Sequence, residues 1–209
     1  MWFVFVDGGS TDGTSDAVRP HTSDRIWLIS LDRNAGKAEA VRQGVLRAEA
    51  LPFYAQLDWI GFWDADLSTP LTELPKFFEY LALCDAPMDA VIGSRIPRLG
   101  SQVRRRAARR VLGRLFVTVA SILLKVRVYD SQCGAKVIRT AAAASCFRDP
   151  FITRWLFDLE ILLRLRNRAL LEFPLRAWQD VPGGKMKVLL NVWPTIRDLL
   201  RLRAAYRRR

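Results

Sequence analysis

Two carboxylates that follow an apolar run could hold a divalent metal ion. The run Trp59–Trp63 is followed directly by Asp64-Ala65-Asp66. Two carboxylates one residue apart at the end of a strand can share a hard cation that also binds diphosphate oxygens. Surface loops often contain this pattern by chance, but the preceding apolar run and the following turn Ser68-Thr69-Pro70 favour a metal site.

Two further loops also follow apolar runs. Asp7 opens a glycine-rich turn that continues to Thr14, and Asn34-Ala35-Gly36-Lys37 precedes a helical pattern. Backbone N–H groups at such turns can bind anions, and Lys37 would lie near a diphosphate. Each loop alone is equally typical of a tight turn before a helix, so only the three loops together indicate a ligand.

The elements that must position these loops alternate along the first half of the chain. Because short apolar runs alternate with helical patterns, we predict βαβ units on a mainly parallel sheet. Ligands gather at the carboxyl ends of such strands, which brings Asp7, Asp64 and Asp66 to one edge. The predicted strands are Trp2–Val6, Ile26–Leu31, Trp59–Trp63 and Ala90–Gly93, and the predicted helices are Thr11–Arg19, Gly36–Leu51 and Leu71–Cys84.

The alternation stops after residue 95. We predict an arginine-rich helix near Val103–Lys125, a polar insert at Tyr129–Gly134, a helix around Thr153–Asn167 and a strand at Leu171–Ala177. The chain has 209 residues, enough for one good core. We therefore predict a single domain over 1–190, with a donor half at about 1–95, an acceptor half at about 96–190, and a basic amphipathic tail at 191–209.

The formal net charge is +12, and arginines cluster at 98–114 and 197–209. Aliphatic residues interleave them, a pattern that favours an anionic membrane surface over nucleic acid, although a solvated charged face would explain the tail equally well. Three cysteines without metal-ligand spacing predict a reducing setting without disulfides. No run reaches the roughly 20 apolar residues of a membrane span, and the start does not resemble a signal peptide.

Six segments resemble those of family 2 inverting glycosyltransferases, which have the GT-A fold. Their order and spacing match over nearly the whole chain. A Gln-Cys-Gly-x-Lys stretch, and Trp178 followed by Gly183-Gly184-Lys185, are most similar to the dolichyl- or polyprenyl-phosphate glucosyltransferase branch, with the mannosyl branch next. The six segments are Val6–Thr14, Asn34–Arg42, Asp64–Asp66, Ile92–Arg95, Asp130–Lys136 and Phe157–Glu160.

The resemblance implies roles for individual residues. Asp64 and Asp66 would handle a Mg²⁺ or Mn²⁺ ion and, with Asp130, form the catalytic set. The remaining implied residues bind the two substrates, and Asp158 and Glu160 would lie on an adjoining helix without an assigned role. The donor-binding residues would be Asp7, Gly36, Lys37 and Asp64, and the acceptor-phosphate-binding residues would be Ser94, Arg95, Gln132 and Lys136.

The chain departs from this family at its start. Family members begin with one more strand, so the resemblance implies a GT-A sheet that lacks the first βα unit. A second departure is Gly8, where the family commonly has another aspartate. A third is Ser68, where the mannosyl branch often has glutamine, and this difference favours the glucosyl branch.

These observations predict hexose transfer, with glucose preferred, from a nucleotide sugar such as UDP-glucose to a polyprenyl or dolichyl phosphate. The enzyme would lie on the cytoplasmic face of the membrane. An ionised phosphate needs little help from a general base, so the absence of a catalytic histidine fits. Two alternatives remain open: a soluble or cell-wall glycan acceptor, and a truncated, inactive membrane-binding remnant. Nucleic-acid binding is not expected.

Overall fold

The computed structural model describes residues 1–104, 107–181 and 192–207. Eight strands are described, and their apolar, β-branched and aromatic residues suit a pleated, partly buried surface. The first four agree with the predicted strands to within about one residue, the scatter expected at element ends. In chain order the strands are Phe3–Asp7 (β1), Ile26–Ser30 (β2), Trp59–Trp63 (β3), Ala90–Ser94 (β4), Gln102–Arg104 (β5), Ala135–Arg139 (β6), Leu170–Pro174 (β7) and Ala177–Gln179 (β8).

Seven α-helices are described in the same part of the chain. The predicted helix near Val103–Lys125 begins later than expected, because residues up to Arg104 form β5 instead. The helix expected around Thr153–Asn167 is shorter at both ends. The helices are Thr14–Val18 (α1), Lys37–Ala48 (α2), Leu74–Leu81 (α3), Ala107–Leu124 (α4), Thr140–Phe147 (α5), Phe157–Arg164 (α6) and Val192–Tyr206 (α7).

The described strands form three sheets. One sheet pairs β1 with β2, the largest has the order β3-β6-β4-β7, and a small one pairs β5 with β8. Three of these five pairings are parallel, as the sequence predicts. Strand β6 was not predicted, and it runs antiparallel to both β3 and β4.

Helices cover the largest sheet from both sides. Helices α2, α5 and α6 pack against one face through a cluster that includes Val45, Ile138 and Phe147. Helix α3 covers the other face, where Phe77 contacts Trp63 and Phe173. Helix α7 packs against α4 through Leu199 and Leu202, so the described part of the predicted tail is helical and contributes to the core.

Candidate functional site

The strand ends that precede the predicted loops lie on one side of the molecule, although they come from two sheets and not from the single sheet that was predicted. Asp7 ends β1, Asp64 follows β3, and Ser94 ends β4. Strand β6 runs the opposite way, so its preceding residue Gly134 lies at the same edge, where its carbonyl accepts the N–H of Asp64 at 2.9 Å. Helix α2 also begins at this edge with Lys37. The fold therefore brings the three predicted loops to one side of the molecule.

Asp64 and Lys37 form the centre of this edge. Oδ1 of Asp64 lies 2.5 Å from Nζ of Lys37. The same oxygen is buried and accepts no hydrogen bond of good geometry from the described residues. The carboxylate lies directly on Gly134, because a Cβ atom at that position would collide with it. Only glycine lets Asp64 occupy this place.

Asp66 lies at the surface two residues farther along. Its Oδ1 accepts the Ser68 N–H at 2.9 Å, and Leu67, the residue directly after Asp66, takes a left-handed conformation. Among the described residues no group of three or more metal-ligating side chains is assembled. Asp64 and Asp66 still suit a divalent cation, because carboxylate oxygens are its preferred ligands and Oδ1 of Asp64 accepts no hydrogen bond of good geometry from the described residues. The Lys37 ammonium beside Oδ1 occupies the place of a cation and would move away when a metal binds.

The Asp7 carboxylate is held within its own loop. Oδ1 accepts the backbone N–H of Ser10 at 2.9 Å, and Oδ2 accepts the hydroxyl of Ser15. The interactions with Ser10, followed by that with Ser15, lower the pKa of Asp7. Asp7 is therefore anionic at neutral pH and shapes the turn, while its contact with a nucleoside stays a prediction.

Arg95 and Asp130 form a bidentate pair beside the end of β4. Nε and Nη2 of Arg95 donate to the two carboxylate oxygens at 2.6 and 2.7 Å. Burial lowers the pKa of Arg95, but the charge of Asp130 and its hydrogen bonds outweigh burial and raise the pKa overall. The Gln132 N–H also donates to Asp130, at 3.2 Å. Asp130 therefore orients Arg95 and the start of the polar insert.

Lys136 and Ser94 lie beneath the surface. Both side chains are fully buried. The Lys136 ammonium lies 2.5 Å from Oδ1 of Asp158 and donates to the carbonyl of Cys133. Their expected contact with an acceptor phosphate stays a prediction. The burial of Lys136 favours a supporting role, in which its pairing with Asp158 joins β6 to α6.

Glu160 holds the loop that precedes α6. It is fully buried, and its carboxylate accepts hydrogen bonds from the Ile152 N–H at 2.8 Å, from Arg164 at 2.7 Å and from the Tyr206 hydroxyl at 3.0 Å. These contacts tie the loop at residues 151–156 to α6 and α7. Asp158 and Glu160 thus brace the structure around the site.

Arg154 lies in this braced loop and was not predicted as a site residue. Its guanidinium lies beside Gly36, where an added Cβ atom would be 2.9 Å from Nη2. The side chain is exposed, and it forms no ion pair with the described residues. A cation at the start of α2, next to Lys37, suits a diphosphate. The sequence signal was an arginine three residues before Phe157-Asp158-Leu159-Glu160.

The family described as "Glycosyl transferase family 2" matches residues 3–155. The chain therefore belongs to glycosyltransferase family 2.

Curated relatives share this sequence over most of its length. The chain is 28% identical to a dolichyl-phosphate beta-glucosyltransferase from Saccharomyces cerevisiae, over 97% of the chain and 64% of the relative. It is 30% identical to the protein of that name from Mus musculus, over 97% of the chain and 63% of the relative. The chain thus spans less than two thirds of the length of these relatives.

Solved structures confirm the GT-A fold that the sequence predicts. Mannosyl-3-phosphoglycerate synthase from Rubrobacter xylanophilus superposes with a TM-score of 0.66 at 16% identity, over 96% of this chain and 63% of that one. Glucosyl-3-phosphoglycerate synthase from Mycobacterium tuberculosis, crystallised with Mn²⁺, UDP and its product, gives 0.62 at 17% identity, over 97% and 69%. The segment Gly183-Gly184-Lys185 lies outside the described residues, so its predicted similarity to the glucosyl branch has no structural counterpart here.

Proposed function

We propose that this chain transfers glucose from UDP-glucose to a polyprenyl or dolichyl phosphate with inversion at the anomeric carbon. The observation that carries the proposal is the cluster of Asp64, Lys37 and Arg154 at the start of α2. It combines a carboxylate for a metal with two cations for a diphosphate. The names of the curated relatives support the glucosyl donor and the lipid acceptor.

The leaving group determines what the donor side must do. An oxygen of the lipid phosphate forms a bond to the anomeric carbon, and the bond from that carbon to the UDP oxygen breaks. Lys37 and Arg154 are placed to stabilise the negative charge that develops on UDP. A Mg²⁺ or Mn²⁺ ion held by Asp64 and Asp66 would supply further charge compensation.

The acceptor needs a different kind of help. A phosphate monoester of a lipid is already ionised near neutral pH, so no side chain has to remove a proton. Arg95 uses two of its nitrogen donors on Asp130, which fixes the direction of its guanidinium. We propose that the acceptor phosphate approaches the remaining donors of Arg95, beside the polar insert that contains Gln132.

We further propose that α4 and α7 rest on the anionic surface of the membrane from its cytoplasmic side. Within the described residues, no helix is long and apolar enough to cross a bilayer. Both helices nevertheless have an exposed apolar stripe on the side away from the core, among basic residues such as Arg197 and Arg201. The stripes consist of Leu115, Val119 and Ile122 on α4 and of Trp193, Ile196 and Leu200 on α7.

The membrane proposal can be tested with a matched pair of variants. Ile122 on α4 is 76% exposed, and Leu83 after α3 is 77% exposed. Ile122→Glu should weaken sedimentation with vesicles of phosphatidylcholine and phosphatidylserine, whereas Leu83→Glu should not. Equal binding of the two variants would contradict the proposal.

The donor site is tested by titrating the protein with UDP, with and without Mn²⁺, for the wild type and Asp66→Ala. We expect metal-dependent binding that the variant loses. Asp85→Ala, at another exposed aspartate, is the control and should bind like the wild type. Failure of every nucleotide to bind while vesicles still bind would support the inactive remnant instead.

The acceptor is tested separately, by following transfer from UDP-glucose in the presence and absence of a polyprenyl phosphate. We expect transfer only when the lipid phosphate is present. Transfer to a soluble glycan without it would overturn the lipid acceptor but leave the donor site intact.

A further inference from the structure

The polar insert at Tyr129–Gly134 lies between α4 and β6, outside the helices and strands that the structure describes. Its second residue, Asp130, holds the guanidinium of Arg95 through two hydrogen bonds. A buried segment without a backbone ladder of its own must have its N–H groups satisfied by other partners. For the first two N–H groups of the insert, that partner is the carboxylate of Glu172.

Glu172 lies on β7, in register with Ile92 of the neighbouring parallel strand β4. Side chains alternate between the two faces of a strand, and Phe173 packs on the face that α3 covers, so Glu172 lies on the opposite face. Leu170 packs on that opposite face against the cluster that Val128, the residue directly before the insert, also joins. A packed strand therefore places the Glu172 carboxylate beside the start of the insert.

The Glu172 carboxylate accepts two consecutive backbone N–H groups. The Tyr129 N–H donates to Oε2 and the Asp130 N–H donates to Oε1, each at 2.8 Å. Successive N–H groups that point to one place form a small anion-binding concavity, and the anion here is a side chain of the same protein. An ionised carboxylate offers an acceptor oxygen to both N–H groups, whereas a glutamine would turn its NH₂ group toward one of them. The arrangement therefore requires glutamate rather than glutamine.

Asp130 passes the position of the insert on to Arg95. Besides the two bonds to the guanidinium, its carboxylate accepts the backbone N–H of Arg95 at 3.1 Å, and Asp130 is only 4% exposed. A bidentate pair requires the carboxylate and the guanidinium to lie in one fixed fork geometry. Because Glu172 holds the Asp130 backbone, a displacement of that backbone would turn the guanidinium of Arg95.

We infer that Glu172 is a positioning residue for the acceptor phosphate: it holds the backbone at Tyr129 and Asp130, and Asp130 in turn directs the remaining donors of Arg95. Glu172 itself would touch neither substrate. The part that concerns the acceptor rests on the proposed function, whereas the link from Glu172 to Arg95 does not. A displacement of about 1 Å in a positioned group can lower a rate by about a hundredfold, so a residue that acts through another one can have a large effect.

The link to Arg95 is tested by NMR on the wild type and on Glu172→Gln. In the wild type, we expect slow exchange with water for the amides of Tyr129 and Asp130 and for the Nε–H of Arg95. In the variant, the Arg95 Nε–H should exchange about tenfold faster or more, because one charge-assisted hydrogen bond to the insert is lost. If the variant does not fold, the wild type alone decides, since exchange of the Tyr129 and Asp130 amides at the rate of an unfolded chain would contradict the inference.

The effect on the acceptor is tested by steady-state transfer from UDP-glucose to a polyprenyl phosphate. For Glu172→Gln, we expect the KM for the polyprenyl phosphate to rise by about tenfold or more, because Arg95 no longer meets the phosphate in a fixed direction. The affinity for UDP with Mn²⁺ should be unchanged, since the contacts of Lys37 with Asp64 do not involve the insert. A parallel loss of UDP affinity would indicate general damage to the fold and would contradict a positioning role.

Asp89→Asn is the matched control for both measurements. Oδ2 of Asp89 accepts the Ala169 N–H at 3.1 Å, so this carboxylate also holds backbone, but directly before the starts of β4 and β7. The control thus removes a carboxylate at the opposite end of the same two strands. We expect the exchange of the Arg95 Nε–H and the KM for the polyprenyl phosphate to stay at their wild-type values.

Three results would overturn the inference. The first is an unchanged exchange rate of the Arg95 Nε–H in Glu172→Gln, which would mean that Asp130 keeps its place without Glu172. The second is an unchanged KM for the polyprenyl phosphate, and the third is an equal change in Glu172→Gln and Asp89→Asn. The proposed function fails in a different way, if the wild type transfers no glucose to the lipid phosphate. The exchange of the Arg95 Nε–H then still decides whether Glu172 positions Arg95.

Discussion

The two larger sheets differ in how completely they are enclosed, and the candidate site lies across that difference. In β4 of the four-stranded sheet, Ala90, Val91 and Ile92 are at most 1% exposed, whereas Phe5 in β1 is 42% exposed. The acceptor side is braced by buried pairs such as Lys136 with Asp158. The donor side relies on turn hydrogen bonds at Asp7 and on the partly exposed pair of Lys37 and Asp64.

This difference indicates that the two halves of the site have different freedom to respond to a ligand. Buried, hydrogen-bonded pairs in a packed sheet hold their geometry before a substrate arrives, whereas exposed pairs in few-contact regions rearrange at low cost. We therefore expect Lys37 to leave Asp64 when a metal and a diphosphate bind. The acceptor side should change little.

The largest contrast is expected between two phenylalanines. Phe77→Ala should reduce the free energy of unfolding by about 3–5 kcal/mol, because a fully buried ring between Trp63 and Phe173 is lost. Phe5→Ala should cost about 1 kcal/mol or less, since that side chain is 42% exposed. Urea unfolding followed by circular dichroism measures both. Equal losses would mean that the two sheets are equally enclosed in solution.

The buried ion pair of Lys136 with Asp158 offers a second test of the contrast between the two sheets. Lys136→Met leaves Asp158 charged and buried without its partner, so we expect a loss of about 3–5 kcal/mol in the free energy of unfolding. The double variant Lys136→Met with Asp158→Leu should recover most of that loss, because no buried charge remains. Unfolding in urea measures the free energy of unfolding of the wild type, the single variant and the double variant. An equal loss in both variants would contradict the expectation.

A direct role of Lys136 in substrate binding would give a different result. In that case the double variant would be stable but would bind no acceptor phosphate. Recovery of stability together with acceptor binding would show that the lysine serves only to support the fold.

Gly134 lies under the Asp64 carboxylate and offers a test of the donor side of the site. Gly134→Ala would push Asp64 away, so we expect Mn²⁺-dependent UDP binding to weaken by about 10–100-fold, as for other changes that displace a metal ligand. Isothermal titration calorimetry measures the affinity. Gly8→Ala is the control, because its Cβ would lie at an ordinary 3.7 Å from that of Ala40. Similar affinities for both variants would remove Asp64 from the metal site.

The sequence predicted the donor half more closely than the acceptor half. Strand β3 was predicted with its observed bounds, and α2 to within a few residues, because each has a local apolar pattern with clear ends. Strand β6 was not predicted, because it contains Lys136 and a lysine is typical of an exposed position. Its burial depends on Asp158, twenty-two positions away in the chain.

In the candidate site, too, the residues placed by local sequence were predicted and the one placed by tertiary packing was not. Asp64 and Lys37 were predicted because each lies in a loop next to a recognisable element. Arg154 was not, since its place beside Gly36 depends on the loop that Glu160 holds through the Ile152 N–H. Such a contact arises from tertiary packing, and no local pattern contains it.

The smallest expected effect is a pH dependence that belongs to the four-stranded sheet. Burial raises the pKa of the Cys133 thiol to about 11, above the value near 9 of an exposed thiol. The unfolded chain therefore loses this proton at a lower pH than the folded chain does. The free energy of unfolding should be unaffected by Cys133 below about pH 8 and should fall by about 1 kcal/mol by pH 10.

Cys133→Ala isolates this contribution from those of other groups that titrate at high pH. Urea unfolding at each pH measures the free energy of unfolding of both proteins. Between pH 8 and pH 10, the value for the wild type should fall relative to that for the variant, which lacks the thiol. A difference that stays constant over this range would mean that the thiol is open to water in solution. The four-stranded sheet would then be less enclosed beside Gly93, whose added Cβ would lie 3.0 Å from the Cys133 sulfur, and the contrast with β1 would weaken accordingly.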